Sequence, residues 1–378
     1  MSQPTVALYI HIPFCLHRCS YCDFFTMGVG RSPIPATTYC DRLIDELRAV
    51  VAEHHLKPND IASIFFGGGT PTMLPADAFA RLLDGIADTV SLPGGMEITC
   101  EANPETLDAP YLSRLRQTGV NRLSMGVQSF RPEALTFLDR IHSSKQVVDA
   151  VGWARNAGFH NLNLDLMFGL PQQSTAMLEA DLAAALELAV PHLSAYQLTV
   201  EAGTPLALRV RRGAVVLPPE ERLLRFWHIV RERLAQAGYS AYEVSNYARP
   251  GHECRHNLHY WNGGEYLGLG PGAVSRIGAH RWRRRRHVQR YLDGELAVDE
   301  TETLMPAQLA LEYCLLALRT EQGLSLEAFA QRAGERFDAL YPGIRAQWIA
   351  HGWALDGPRL RMTVSGLAIL DTLLADLL

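Results

Sequence analysis

Up to residue 200 the chain alternates short apolar runs with longer stretches in which apolar residues recur every three or four positions. The runs at 6–10, 61–66, 96–100, 122–127, 161–167 and 193–200 predict strands. The intervening spacing predicts helices over 39–55, 76–90, 111–117, 132–156 and 175–188; in the first, Leu43, Ile44, Leu47, Val50 and Val51 share a face. Six strand–helix units with short connections predict a parallel sheet. Strands that are mostly apolar, rather than alternating, predict cover on both faces. Six units are too few to close an eight-strand barrel. The expected fold class is therefore α/β, a partial (β/α)6 barrel with mostly parallel strands.

Beyond a long helix at 220–237 the pattern changes. Gly268-Leu-Gly-Pro-Gly-Ala273 predicts a tight loop approached closely by another backbone or a ligand. Residues 294–303 turn acidic and turn-like, and 306–377 predict helices with a short strand pair. The expected division is 1–295, a core with an extension, and 296–378, a small α-rich C-terminal domain.

Composition narrows the partners. The 378 residues are 48% hydrophobic, enough for a large core. A net charge of -5 gives no general footprint for nucleic acid or an anionic membrane. No N-terminal stretch reads as a signal peptide, and no apolar run is long enough to cross a bilayer. Seven cysteines, an odd number, do not suggest a disulfide framework, so a reducing cytoplasmic location is expected.

The candidate chemistry sits at strand C-terminal ends, where parallel α/β proteins bind ligands. Cys15, Cys19 and Cys22 follow the first strand at C-x3-C-x2-C spacing, just after Tyr9. Three thiolates on one loop suit three irons of a [4Fe–4S] cube, a cluster that usually takes four cysteines. The alternative is a zinc knuckle with His11 or His17 as fourth ligand. Gly67-Gly-Gly-Thr-Pro-Thr72 ends the second strand, and Glu101, Gln128 and Asp165 end later ones. The two acids also suit helix caps.

The cysteine spacing together with the glycine run resembles the radical S-adenosylmethionine (SAM) superfamily. Nearly the whole chain resembles the oxygen-independent coproporphyrinogen III oxidase family, most closely its haem-chaperone subfamily. Glu101-Ala-Asn-Pro104, Gly126-Val-Gln-Ser-Phe130, Asp165-Leu-Met-Phe-Gly-Leu-Pro171, Tyr242-Glu-Val-Ser-Asn-Tyr-Ala248 and His256-Asn-Leu-His-Tyr-Trp261 carry that match. The resemblance implies a [4Fe–4S] cluster on Cys15, Cys19 and Cys22, with SAM on its open iron. It implies Tyr9 near the cluster and Tyr21 beside SAM. Gly68, Gly69, Thr70, Glu101, Gln128, Arg140 and Asp165 fall at SAM-contact positions, and Thr199 and Val274 at two further positions. It further implies haem as a ligand, contacted by His256, with an acceptor protein for haem and an electron donor for the cluster. Peripheral contact with a membrane-bound acceptor is compatible with it.

Two features depart from the family's decarboxylases. Phe24 stands where they carry a fourth cysteine, and only eight residues precede Tyr9, where they carry an extension. The alternative function, oxidative decarboxylation of coproporphyrinogen III, is therefore not the expected one. The run Arg281-Trp-Arg-Arg-Arg-Arg286 suits either porphyrin propionates or a solvated hairpin tip.

Overall fold

The computed structural model of the protein describes residues 6–56 and 61–377. Twelve strands form its main sheet, numbered here in chain order. They are β1 Val6–Ile12, β2 Ile61–Gly68, β3 Glu97–Ala102, β4 Arg122–Gln128, β5 Asn161–Phe168 and β6 His192–Gln197. Then come β7 Ser240–Ala241, β8 Asn246–Ala248, β9 Glu265–Leu269, β10 Val274–Ile277, β11 His280–Arg284 and β12 Val298–Thr303. Their spatial order is β12-β11-β10-β9-β1-β2-β3-β4-β5-β6-β8-β7, so the sheet is open. The six expected strands lie side by side and parallel.

A seventh parallel strand, β9, pairs with the outer edge of β1, and antiparallel strands extend the sheet at both ends. With β9 on one side and β2 on the other, β1 has neighbours on both edges. Leu8, Ile10 and Ile12 are fully buried there, each worth about 1.5–3 kcal/mol of transfer free energy. Helices Ala36–Glu53, Ala76–Ala87, Ala109–Gln117, Ser144–Asn156 and Thr175–Glu187 connect the parallel strands. Their buried stripes join one core that runs from Val6 to Tyr291.

Three local expectations change. β6 ends at Gln197 instead of continuing to 200, which leaves Thr199 exposed outside the strand. The acidic stretch is not a turn: β12 pairs antiparallel with β11. The arginine run is likewise no solvated hairpin tip but mostly β11, and most of its guanidiniums are committed to acids. Arg281 meets Glu302 and Glu312, Arg283 meets Glu300, and Arg285 meets Glu295 and Asp299. Arg284 is buried and donates to Glu46, which also accepts from Gly270 N at 2.8 Å and Tyr291 Oη at 2.7 Å. That fully buried carboxylate fastens the glycine-rich loop after β9 to the first helix.

A second core runs from Ala310 to Leu377. It is built of helices such as Pro306–Ala317, Leu326–Ala333 and Ile344–Ala350 around a small antiparallel sheet. Trp227 packs against both cores. Among the described residues no helix is long and apolar enough to cross a membrane.

Candidate functional site

The cysteine loop leaves β1 at Ile12 and is braced by a short parallel pair, Phe14–Cys15 with Met27–Gly28. The glycine run at the end of β2 closes against it: Gly69 N donates to Ile12 O and Thr70 N to Phe14 O, both at 2.8 Å. A Cβ on Gly69 would stand 2.8 Å from the Pro13 carbonyl carbon, and one on Gly68, at φ +109, would enter the His11 ring. Glycine is required here because two backbones touch.

Cys15, Cys19 and Cys22 are free thiols that face one cavity of about 380 Å³. Tyr21, Gly68, Gly69, Thr70, Glu101, Gln128, Arg140 and Asp165 line the same cavity. Burial pushes the Cys15 thiol up to about 11, and the other two thiols add to this. Burial also raises Cys22. Iron bound by these sulfurs would reverse that, since a coordinating thiol is deprotonated. Arg140 supplies positive charge beside them: Nη1 lies 3.8 Å from Cys19 Sγ, and Nη2 donates to Asn103 Oδ1 (2.7 Å) and Gly126 O (2.5 Å). Gln128 takes a left-handed conformation, φ +65, where the register of β4 against β5 slips.

Neither acid caps a helix. Glu101 Oε2 accepts from Gly68 N at 3.1 Å. Burial and then the facing Asp165 push its carboxyl up to about 8. Asp165 accepts from Asn163 Nδ2 (2.8 Å) and Ser124 Oγ (3.3 Å), and burial raises it as well. His11 is not free to ligate: Nδ1 meets Tyr9 Oη at 3.1 Å and Nε2 meets Phe25 O at 2.8 Å. His17 is exposed at the cavity rim. Among the described residues no three His, Cys, Asp or Glu side chains gather around a point where a single ion would sit.

A second cavity of about 580 Å³ adjoins the first, and Phe24, Gly68, Glu101, Ser124, Asp165 and Tyr196 line both. Tyr9, Val274, Arg286 and His256 line the second. His256 lies on a helix, Arg255–Trp261, rather than in a loop. Only 2% of it is exposed, and burial lowers its pKa to about 3, so it is neutral. Nδ1 is 2.9 Å from Ser63 Oγ, whereas Nε2 is buried without a partner. Phe65 stacks on the ring at 4.9 Å and Tyr260 meets it edge-on at 5.0 Å. His259 turns away and meets Glu265 O at 2.7 Å; Cys254 is a buried thiol that donates to Glu97.

Ser63 and Glu97, which hold His256 in place, were not singled out from the sequence. Glu97 Oε1 accepts from His256 N at 2.9 Å and Oε2 from Arg255 N at 3.1 Å. An acid inside the apolar run at 96–100 was the available signal.

Three thiols on the loop after the first parallel strand, with a glycine run closed over them, define a radical SAM protein. The Radical SAM superfamily model matches residues 9–185. "Heme chaperone HemW" of Mycobacterium tuberculosis is 39% identical over 384 aligned positions, covering 98% of this chain and 94% of that one. The Escherichia coli protein of the same name is 40% identical over 309 positions, 79% and 80% of the two chains. That of Bacillus subtilis is 37% identical over 342 positions, 89% of each. The chain belongs to the HemW haem chaperone family. Its fold is that of the solved coproporphyrinogen III oxidase HemN of Escherichia coli, a radical SAM enzyme, with TM-score 0.83 and 24% identity across 99% of this chain and 90% of that one. Superfamily membership implies a [4Fe–4S] cluster and SAM, which together supply one-electron cleavage of a sulfonium.

Proposed function

We propose that this chain binds haem in the His256 cavity, keeps a [4Fe–4S] cluster and SAM in the adjoining one, and passes haem to an acceptor protein. Cys15, Cys19 and Cys22 hold the cluster. Tyr21, Gly68, Gly69, Thr70, Glu101, Gln128, Arg140 and Asp165 position SAM beside it, and Tyr9 packs near the cluster from the adjoining cavity. The protein works in the cytoplasm, takes an electron from a donor protein and touches a membrane only through its acceptor.

The observation that carries the haem assignment is the state of His256. The ring is neutral, Nδ1 is paired with Ser63 Oγ at 2.9 Å, and in the tautomer with the proton on Nδ1 the Nε2 lone pair is free for iron. A buried nitrogen without a partner costs free energy that an axial iron bond recovers.

The test is a haem titration of anaerobically reconstituted protein, followed in the Soret band. Wild type is expected to shift, and His256→Ala to lose the shift and at least tenfold in affinity. An unchanged spectrum and affinity in the variant removes His256 as ligand. Decarboxylation draws support from the six residues common to both cavities. It is tested by incubating the reduced protein with SAM and coproporphyrinogen III; no product is expected, and turnover would establish it.

A further inference from the structure

A third cavity, of about 730 Å³, lies between the glycine-rich turn before β9 and helix Pro306–Ala317 of the C-terminal core. Its size suits a small-molecule ligand. Tyr260 and Tyr266 line both this cavity and the His256 cavity, standing ring to ring at 4.7 Å between them. Tyr313 and three leucines, Leu309, Leu315 and Leu316, supply a broad apolar wall.

The polar lining is unbalanced. Arg276, Arg281 and Arg332 face Glu265 and Glu312. Arg281 is already paired with Glu312 and Glu302. Glu265 keeps its charge but is held by Gly278 N at 2.8 Å, and among the described residues no ion pair joins it to Arg276 or Arg332. Arg276 and Arg332 find only carbonyl oxygens and aromatic faces among the described residues. Arg276 donates to Gly263 O (2.8 Å), Gly264 O (2.7 Å) and Gly278 O (3.1 Å), and lies over Tyr266. Arg332 donates to Ala328 O (3.2 Å) and Asn262 O (3.3 Å), with its guanidinium 4.2 Å from the centre of the Tyr313 ring. Burial, and repulsion from Arg276, both disfavour the charge on Arg332. Carbonyls and rings orient a guanidinium without neutralising it. Two such groups converging on an apolar cavity call for an anion, and guanidinium forks match carboxylates.

The geometry points to a second ligand site in this cavity, one that takes a flat apolar body with carboxylates on one edge: a porphyrin held by its acid side chains on Arg276 and Arg332, while the imidazole in the lining, His259, has its Nε2 on Glu265 O at 2.7 Å. The choice of porphyrin rests on the haem reading above and on the tyrosine wall that the two cavities share. In that arrangement Tyr260 and Tyr266 are the partition between an iron-ligating chamber and a carboxylate-binding one, and the C-terminal unit supplies one wall of the outer chamber.

Metal-free protoporphyrin is the probe, because it offers carboxylates but no iron to His256. Titrated into the full-length protein and followed by quenching of tryptophan emission, it is expected to bind equally well to wild type and His256→Ala. Arg332→Met should weaken binding at least tenfold, and Arg332→Lys, which keeps the charge but loses the fork, should weaken it less than Arg332→Met does, with denaturant midpoints used to confirm folding. Protoporphyrin dimethyl ester should bind wild type as weakly as the acid binds Arg332→Met. Equal affinity in Arg332→Met, equal affinity for the ester, or loss of binding in His256→Ala overturns the site. A His256-dependent haem spectrum with Arg332-independent porphyrin binding defeats this proposal alone. Arg332-dependent porphyrin binding with a His256-independent haem spectrum upholds the site and defeats only the axial-ligand assignment.

Discussion

Glu97 stands at the start of β3, 5% exposed, and its two oxygens are spent on the first turn of another element, the helix that carries His256. Oε1 takes the His256 amide and, at 3.5 Å, the Cys254 thiol; Oε2 takes the Arg255 amide. A carboxylate at a helix N-terminus also suits the local dipole. Glu97→Ala strips the acceptor from two backbone N–H groups, one of them fully buried. It also removes one of the negative groups facing the buried Arg122. Each orphaned amide costs about 1–3 kcal/mol, so the variant should lose about 2–6 kcal/mol of stability. Glu97→Gln keeps one good acceptor and should lose about 1–3 kcal/mol. The helix then no longer presents His256 at a fixed angle, and haem affinity should fall at least tenfold. Iron content should not change, because the cysteine loop makes none of these bonds. Urea unfolding of the apoprotein, haem titration and iron analysis are the three measurements. Wild-type stability and wild-type haem affinity in Glu97→Ala would refute the reasoning.

Other outcomes follow from the same structure. Cys15→Ala, Cys19→Ala and Cys22→Ala should each remove the broad iron–sulfur absorbance while leaving the His256-dependent Soret shift; iron retained by the triple variant would contradict the cluster assignment. Glu101, with its carboxyl raised to about 8, holds its proton at neutral pH in the SAM-free protein. A raised folded value means that its stabilising contribution is complete below about pH 4.5 and is lost as pH rises through 8. Glu101→Gln should therefore flatten the decline in unfolding free energy, read from urea titrations between pH 6 and 9, by about 1–3 kcal/mol, below the full value of the shift because one side of the carboxyl faces the cavity. Arg284→Met leaves Glu46 buried and without its ion-pair partner, and should cost about 3–5 kcal/mol in the same unfolding experiment.

Much of this architecture was legible because its strands are buried on both faces. Apolar runs at 6–10, 61–66 and 161–167 announce themselves without help from partners. The site residues were legible for a related reason: Glu101, Gln128 and Asp165 each interrupt an apolar strand, the first two near its end and Asp165, against expectation, three residues before the end of β5. What escaped had no pattern of its own. All six residues of β12, Val-Asp-Glu-Thr-Glu-Thr, are exposed, and its acids pair with Arg281 and Arg283 of β11 and with Arg285 just beyond it. Cross-strand charge pairing leaves no hydrophobic period to detect. The two together explain a basic run and an acidic run that looked like separate features. β9 was hidden because the glycines on either side of it make the stretch read as loop until the edge of β1 is there to receive it. The helix Arg255–Trp261 is too short to show a period, and it is capped by Glu97, more than 150 residues away in the chain. Ser63 and Glu97 could not be recognised as supports for His256 before the sheet brought β2, β3 and that helix together.

The central claim is that His256 Nε2 is the protein's bond to haem iron. Electron spin-echo spectroscopy of ferric haem bound to protein carrying 15N-labelled histidine tests it directly. The account predicts 15N coupling from one imidazole in the wild type and its loss in His256→Ala, with the cluster still present. The same coupling in both proteins, or none in the wild type, would contradict it.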